Sequence, residues 1–313
     1  MNFDKIPIIM SSDNKVFFTV ATAITSMLEN ANKNTFYDIY VLCTDTVTNE
    51  SKNKLSELKK QYDKFSLSFI DMKDTFKDIP KTHKYVNYVS AFKFLIPSLF
   101  PQFDKVLYLD TDVIVRTDLT ELYSTDIKDN YVAGCLCLVN HITCRDSISK
   151  ETGIESMDYY INAGVILMNL KEIRQNKIDK QCIDMIGSFK GSVDQHIMNK
   201  VCYGKIFFLP IKYNVSNSSI KIFESGMGKI FYSLQEIEQA YKNPAIFHWT
   251  GGNKPWQCYN LFLAHEWFRY FIKTPFKDMK LDRKYVKQKG LFSVFRRFLS
   301  LTLKEIYYQL IYK

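Results

Sequence analysis

Asp110 and Asp112 flank Thr111 at the end of an apolar run that starts at Lys105 (KVLYL) and resumes after them as Val113-Ile114-Val115. Val, Leu and Tyr packed together read as a strand buried on both faces, where two carboxylates need a counter-charge. In extended backbone, residues i and i+2 point to the same side, so Asp110 and Asp112 can close on one cation while Thr111 faces away. Oxygen ligands suit a hard divalent ion, Mn²⁺ or Mg²⁺, whose shell is normally completed by substrate phosphates and water. The plain alternative is a strand-end loop whose aspartates cap the next turn.

A second stretch with chemical content is His248 to Trp256, HWTGGNKPW. A histidine ends a strand, Gly251-Gly252 gives a flexible turn, and Lys254 follows. Beside a diphosphate these would offer backbone amides and a point charge to phosphate oxygens. Alone, His248 reads as a structural histidine.

The elements that must position these groups begin with a buried strand at Ile6–Met10, a polar break at Ser11-Ser12-Asp13-Asn14 and a helix over Phe17–Leu28. That is the opening of a Rossmann-like unit, without the glycine-rich fingerprint. Ser12 and Asp13 suit a base or ribose better than a phosphate, and Asp13 serves equally well as a helix N-cap. Strands at Phe36–Leu42 and Phe65–Ile70 flank a helix at Ser51–Tyr62, a βαβαβ order that predicts a parallel sheet covered by helices. Tyr88–Phe100 reads as a helix whose Lys93 either snorkels to solvent or reaches a diphosphate at the strand ends. Further on, the pattern predicts a strand at Tyr131–Val139, small residues at Asn162-Ala163-Gly164 that permit close approach to the backbone, a helix opened by Asp194 and Gln195, short strands at Ile206–Leu209 and Ala245–His248, and a helix at Tyr259–Phe271.

Composition sets the class. Apolar and charged fractions of 46% and 24% are those of a globular protein, and no linker divides the 313 residues, so one core is expected. The N-terminus has no long apolar segment behind a basic flank, and no window reaches the ~18 apolar residues of a membrane span, which predicts a cytosolic protein. Seven cysteines without CxxC spacing indicate neither a disulfide framework nor a zinc site. Of the net charge of +9, residues 277–313 carry +7. A nearly neutral body with a basic appendage argues against nucleic acid as partner.

With these pieces in order, the chain resembles glycosyltransferase family 8, the retaining sugar-nucleotide transferases that include bacterial lipooligosaccharide galactosyl- and glucosyltransferases. The resemblance runs from about Ile6 to Trp256 and rests on YLDTD, INAGVILMNL, SVDQHIMN and HWTGGNKPW. It implies a GT-A fold, a Rossmann-like nucleotide-binding mixed sheet flanked by helices, over residues 1–275. It further implies Asp110, Asp112 and His248 as Mn²⁺ ligands, and one imidazole beside two carboxylates is chemically consistent with Mn²⁺ over Mg²⁺. By the same likeness Ser12 and Asp13 lie at the uridine, Thr111 within the Asp-x-Asp, and Asn162, Ala163, Asp194 and Gln195 along the donor sugar. Gly251 and Lys254 hold the diphosphate. Gln195 would lie beside the anomeric carbon, with Asp194 as the other catalytic candidate. Two departures stand out: Lys93 occupies the place of an arginine, and Val16 is near the place of a base-stacking tyrosine.

The implied reaction is transfer of a hexose, glucose or galactose, from a UDP-sugar to a bacterial surface glycolipid or glycan. A haloacid-dehalogenase-type phosphohydrolase is a competing reading because DTDVI resembles that family's nucleophile loop, which there follows the first strand; a non-catalytic sugar- or membrane-binding module is another. In the tail, residues 276–313, Leu291, Phe295, Phe298, Leu299, Leu303, Ile306 and Leu310 recur at helical spacing, with Arg296, Arg297 and Lys304 off that face. A basic amphipathic helix of this kind suits an anionic inner-leaflet surface, and docking on the catalytic domain is the alternative.

Overall fold

The computed structural model describes residues 4–73, 75–76, 88–189, 193–224 and 226–281. Among the described residues ten strands form two sheets: β1 (Asp4–Ser12), β2 (Thr35–Cys43), β3 (Phe65–Asp71), β4 (Lys105–Leu109), β5 (Val113–Val115), β6 (Val132–Gly134), β7 (Val165–Asn169), β8 (Ile206–Phe208), β9 (Val215–Ser216) and β10 (Ile246–His248). The larger sheet has the order β3-β2-β1-β4-β7-β6-β8, and the smaller the order β5-β10-β9. β1 to β4 run parallel, as the βαβαβ pattern predicts, and β7 enters antiparallel to β4 and β6. β1 has β2 on one side and β4 on the other. In an open α/β sheet that reversal of strand order leaves a crevice at the carboxyl ends.

Alternation along each strand builds one core on each face. Ile8 and Met10 of β1, and Leu107 and Leu109 of β4, pack with the helix Phe17–Glu29. Ile9, Val106 and Tyr108 face the other way, toward the segment Ser90–Leu99. The strand around the aspartates does not run through. β4 ends at Leu109, residues 110–112 bend, and β5 belongs to the smaller sheet, antiparallel to β10. β5 is an edge strand, and its free edge is closed by polar groups of the first helix. Ser26 Oγ accepts the Val115 N–H at 2.9 Å, and Asn30 Nδ2 donates to the Val115 carbonyl at 3.1 Å. The antiparallel register sets Val113 directly opposite His248.

Several expected elements are shorter than the pattern predicts. Ser90–Leu95 is 3₁₀ helix and only Ile96–Leu99 is α-helical, because Pro97 lacks an N–H and is tolerated only in a first turn. The strand expected at Tyr131–Val139 stops at Gly134; Leu136 makes an isolated bridge to Ile161, and the chain turns into a helix at Leu138–Thr143. The last helix begins at Ala264 rather than Tyr259, after Leu263 in a left-handed conformation (φ 56°). Phe276 and Leu281 are buried in the core beside that helix, so the packed body reaches past 275. The amphipathic pattern from Leu291 onward lies outside the described residues. Among the described residues no helix is long and apolar enough to cross a membrane.

Candidate metal and donor site

The bend between the two sheets carries Asp110 and Asp112 to the crevice, and β10 brings His248 to the same place. Asp112 Oδ1 lies 3.1 Å from His248 Nε2, and Asp110 Oδ2 lies 3.8 Å from it. One ligand atom from each of the three residues falls within 4.8 Å of the others. The two carboxylates converge as the i, i+2 spacing predicts, but through a bend in place of extended backbone.

Each carboxylate has its own support. Asp110 donates its N–H to the Gly164 carbonyl at 2.7 Å, and its Oδ1 accepts the Tyr108 hydroxyl at 3.0 Å. Ser11 Oγ lies 2.8 Å from that hydroxyl. Asp112 is paired with Lys254, whose ammonium also donates to the Trp249 carbonyl at 2.6 Å. Burial pushes the Asp110 carboxyl above its ordinary value, opposed by Lys93. Burial acts on Asp112 in the same sense, but His248 and Lys254 outweigh it and hold this carboxyl well below the usual range. The pair thus gathers negative charge around one imidazole.

These residues fit a divalent cation. Two carboxylates and an imidazole form an O, O, N donor set suited to Mn²⁺. Space has been kept for their convergence at Gly164, where a Cβ would lie 2.3 Å from His248 Cε1 and 2.6 Å from Asp110 Oδ2. Gly164 is not among the glycines with positive φ, so glycine is required there by proximity and not by backbone conformation.

Lys93 does not snorkel. It is fully buried, donates to Asp194 Oδ2 at 2.6 Å and to the Ala163 carbonyl at 2.7 Å, and lies 4.5 Å from the centroid of the Tyr108 ring. Asp110 Oδ1 is 4.0 Å away. Burial opposes the ammonium's charge, but Asp194 and Asp110 outweigh it and raise the Lys93 pKa. Lys93 correspondingly overcomes the burial of Asp194 and lowers its pKa. The ammonium that the sequence places at a diphosphate is engaged beneath the site, where it ties the helix Val193–Val201 to the strand ends.

Two cavities flank the triad. The first, about 250 Å³, is lined by Ser12, Asp13, Val16, Thr111 and Trp256 with both aspartates and Lys254. Asp13 lines it while its Oδ1 caps the following turn at the Val16 N–H, 3.2 Å away, as the N-cap reading expects. Ser12 is buried, with its hydroxyl turned to the Asp13 carbonyl. The second cavity, about 330 Å³, is lined by Asn162, Gln195, Asn214, Gly251 and a row of hydroxyls from Ser216 to Thr250. Gln195 Oε1 accepts from Asn162 Nδ2 at 3.0 Å and from the Ala163 N–H at 3.2 Å, while its Nε2 donates to the Tyr160 hydroxyl at 3.2 Å. Gly251 has φ 76° and lies in a turn open to solvent. Tyr108, Asn214 and Trp256 are the members that motif reading gave no role, whereas Gly164 permits the close approach expected of Asn162-Ala163-Gly164. Tyr108 and Trp256 lie inside the motifs, but no spacing signal marks Asn214.

The Asp-x-Asp follows the fourth strand, not the first as a haloacid dehalogenase loop requires. Known proteins agree with the geometry. A lipopolysaccharide 1,3-galactosyltransferase of Salmonella typhimurium is 25% identical, the alignment covering 85% of this chain and 77% of the relative. A lipopolysaccharide 1,2-glucosyltransferase of Escherichia coli K12 is 25% identical over 83% and 75% of the two chains. The galactosyltransferase LgtC, solved with donor and acceptor sugar analogs, shares the fold at a TM-score of 0.71 and 20% identity, covering 91% of this chain and all of that one (100%). The bifunctional glycosyltransferase WbbM superposes with a TM-score of 0.76 at 25% identity, covering 95% of this chain, which corresponds to only 52% of WbbM. The architecture is therefore the expected GT-A fold, a Rossmann-like mixed sheet flanked by helices. The family model "Glycosyl transferase family 8" matches residues 7–259, a span that takes in both sheets, the Asp110-Asp112-His248 triad and Lys254, and the chain belongs to that family.

Proposed function

We propose that the protein transfers a hexose, glucose or galactose, from a UDP-sugar to a bacterial surface glycolipid or glycan with retention of configuration. The observation that carries this reading is the convergence of Asp110, Asp112 and His248 between the two cavities. That the relatives named above act on lipopolysaccharide supports the acceptor class. The first cavity accommodates the uridine at Ser12 and Asp13, with Val16 and Trp256 as apolar surface for the base. The second accommodates the sugar against Asn162 and Gln195.

Asp110, Asp112 and His248 would hold Mn²⁺, with Mg²⁺ as the other hard ion that fits two of the three ligands. When bound, the ion supplies Lewis-acid stabilisation of negative charge on the diphosphate. Lys254, anchored by the Trp249 carbonyl beside Asp112, adds a second positive charge at the leaving group, a kind of contact worth ~10²-fold or more in rate. Attack is from the front face: the acceptor hydroxyl oxygen bonds to the anomeric carbon, the bond from that carbon to UDP breaks, and a departing phosphate oxygen takes the hydroxyl proton. Gln195 presents no ionisable nucleophile. Its amide is held by Asn162 and the Ala163 N–H, a fixed dipole beside developing positive charge on the sugar. Asp194 is the counter-ion of Lys93 in this mechanism, because its Oδ2 is committed to that ammonium. The basic tail would keep the enzyme at the cytosolic face of the membrane, where a lipid-linked acceptor lies.

Mn²⁺-dependent turnover of a panel of UDP-hexoses tests the reading. Asp112→Asn removes one ligand charge and lowers that turnover by about 10²-fold or more; unchanged turnover would falsify the assignment.

A further inference from the structure

The side-chain amides around the triad form a chain whose direction is set by two backbone N–H groups. Gly164 N–H can only donate, and it lies 3.0 Å from Asn162 Oδ1. That fixes Asn162 with its oxygen toward Gly164 and its Nδ2 toward Gln195, where Oε1 is identified as the acceptor by the Ala163 N–H that it also receives. Asn162 Oδ1 is also 2.8 Å from Asn214, so the Asn214 atom there must be the donor Nδ2. Its Oδ1 then faces His248 Nδ1 at 3.0 Å. An oxygen acceptor at that ring nitrogen requires a proton on it, while Asp112 Oδ1, 3.1 Å from Nε2, competes for a proton on the other nitrogen. A cation held between the carboxylates and Nε2 removes that competition, leaving the proton on Nδ1 and the Nε2 lone pair toward the ion.

We infer that Asn214 is a positioning residue of the metal site: it relays the orientation set by the Gly164 amide through Asn162 to His248, fixing the Nδ1–H tautomer with Nε2 free to ligate. The inference rests on the triad reading, because a cation at Nε2 is what leaves Nδ1 as the protonated nitrogen. Asn214 touches no ligand of the cation except through the imidazole, and it is buried beside the second cavity. Outer partners of this kind fix ring orientation and raise ligand basicity. Asn162 also donates to Gln195, so one hydrogen-bond chain couples the metal side of the site to the sugar side.

Two measurements test this. Side-chain ¹⁵N NMR of the full chain loaded with diamagnetic Mg²⁺ compares the parent with Asn214→Ala. A hydrogen-bonded Nδ1–H is expected in the parent and is lost or shifted in the variant, and an Nδ1–H signal that Asn214→Ala leaves unchanged overturns the proposal. Mn²⁺ titration followed by EPR then compares variants of known thermal midpoint. Asn214→Ala weakens Mn²⁺ binding about 10- to 100-fold. An alanine variant that binds as tightly as the parent overturns the relay. A parent chain that fails to bind Mn²⁺ overturns the triad reading, and the relay with it.

Discussion

Gly164→Ala adds one methyl group where three elements meet. The new Cβ would lie 2.3 Å from His248 Cε1, 2.6 Å from Asp110 Oδ2 and 3.0 Å from His248 Nδ1. Ordinary contact begins near 3.4 Å, so the imidazole would have to retreat by about 1 Å. It is poorly placed to do so. β10 is paired to β5 on one side and β9 on the other, and Nδ1 is held by Asn214. Asp110 is no freer, with its N–H on Gly164 and its carboxylate on Tyr108. Metal–ligand distances tolerate about 0.2 Å, so a shift of this size removes at least one ligand. A misplacement of about 1 Å is worth up to ~10²-fold in rate, and Mn²⁺ affinity should fall in parallel. Overpacking should also destabilise the fold by about 1–3 kcal/mol, which melting of the metal-free variant reads as a drop of a few degrees in Tm. Gly134→Ala is the control, because its Cβ would meet the mobile end of Ile161 at 2.7 Å, away from the triad. Mn²⁺ titration and UDP-hexose turnover of the two variants decide the matter. A Gly164→Ala protein with parental affinity and turnover would refute the claim that His248 and Asp110 share a cation at this spacing.

Two further outcomes follow from the charges beneath the site. Lys93→Met leaves Asp194 buried without its cation, and breaking such a pair destabilises by about 3–5 kcal/mol near neutral pH. Burial unopposed then raises the folded pKa of Asp194 above its unfolded value. Part of the lost stability is therefore present below about pH 4 and is lost again as the pH rises through the folded value; urea melts across pH measure this, and parental stability at neutral pH would contradict it. Tyr108→Phe removes the hydroxyl that Asp110 Oδ1 accepts, so Mn²⁺ binding should weaken by about tenfold while secondary structure by circular dichroism is retained. Equal binding would mean that Asp110 needs no such support.

The parallel half of the larger sheet was legible because its strands and helices repeat at their own periods, 2 and 3.6, in a short-linked order. Asp110, Asp112 and His248 were legible through their motifs, and the structure brings them together. What the pattern mistook was local in origin. Pro97 converts most of an apolar helical repeat into 3₁₀ turns, and the apolar run Tyr131–Val139 is divided between a short strand and a helix, with pairing past Gly134 passing from β7 and β8 to a single bridge at Ile161. Of the two readings of Lys93, snorkelling fails for a different reason. A lysine among apolar neighbours looks like a snorkelling side chain until Asp194, a hundred residues later, is seen to lie 2.6 Å from it.

Residue types and their order along the chain therefore determined that a carboxylate pair, an imidazole and a set of amides exist and belong to one family of site. Tertiary structure alone decided which atoms face which: the bend that moves the chain from one sheet to the other, the missing Cβ at Gly164 and the amide chain through Asn214. The physical reason is that ligation and hydrogen bonding depend on distances of a few ångströms between groups far apart in sequence. No one-dimensional spacing encodes those distances until both sheets have closed around them.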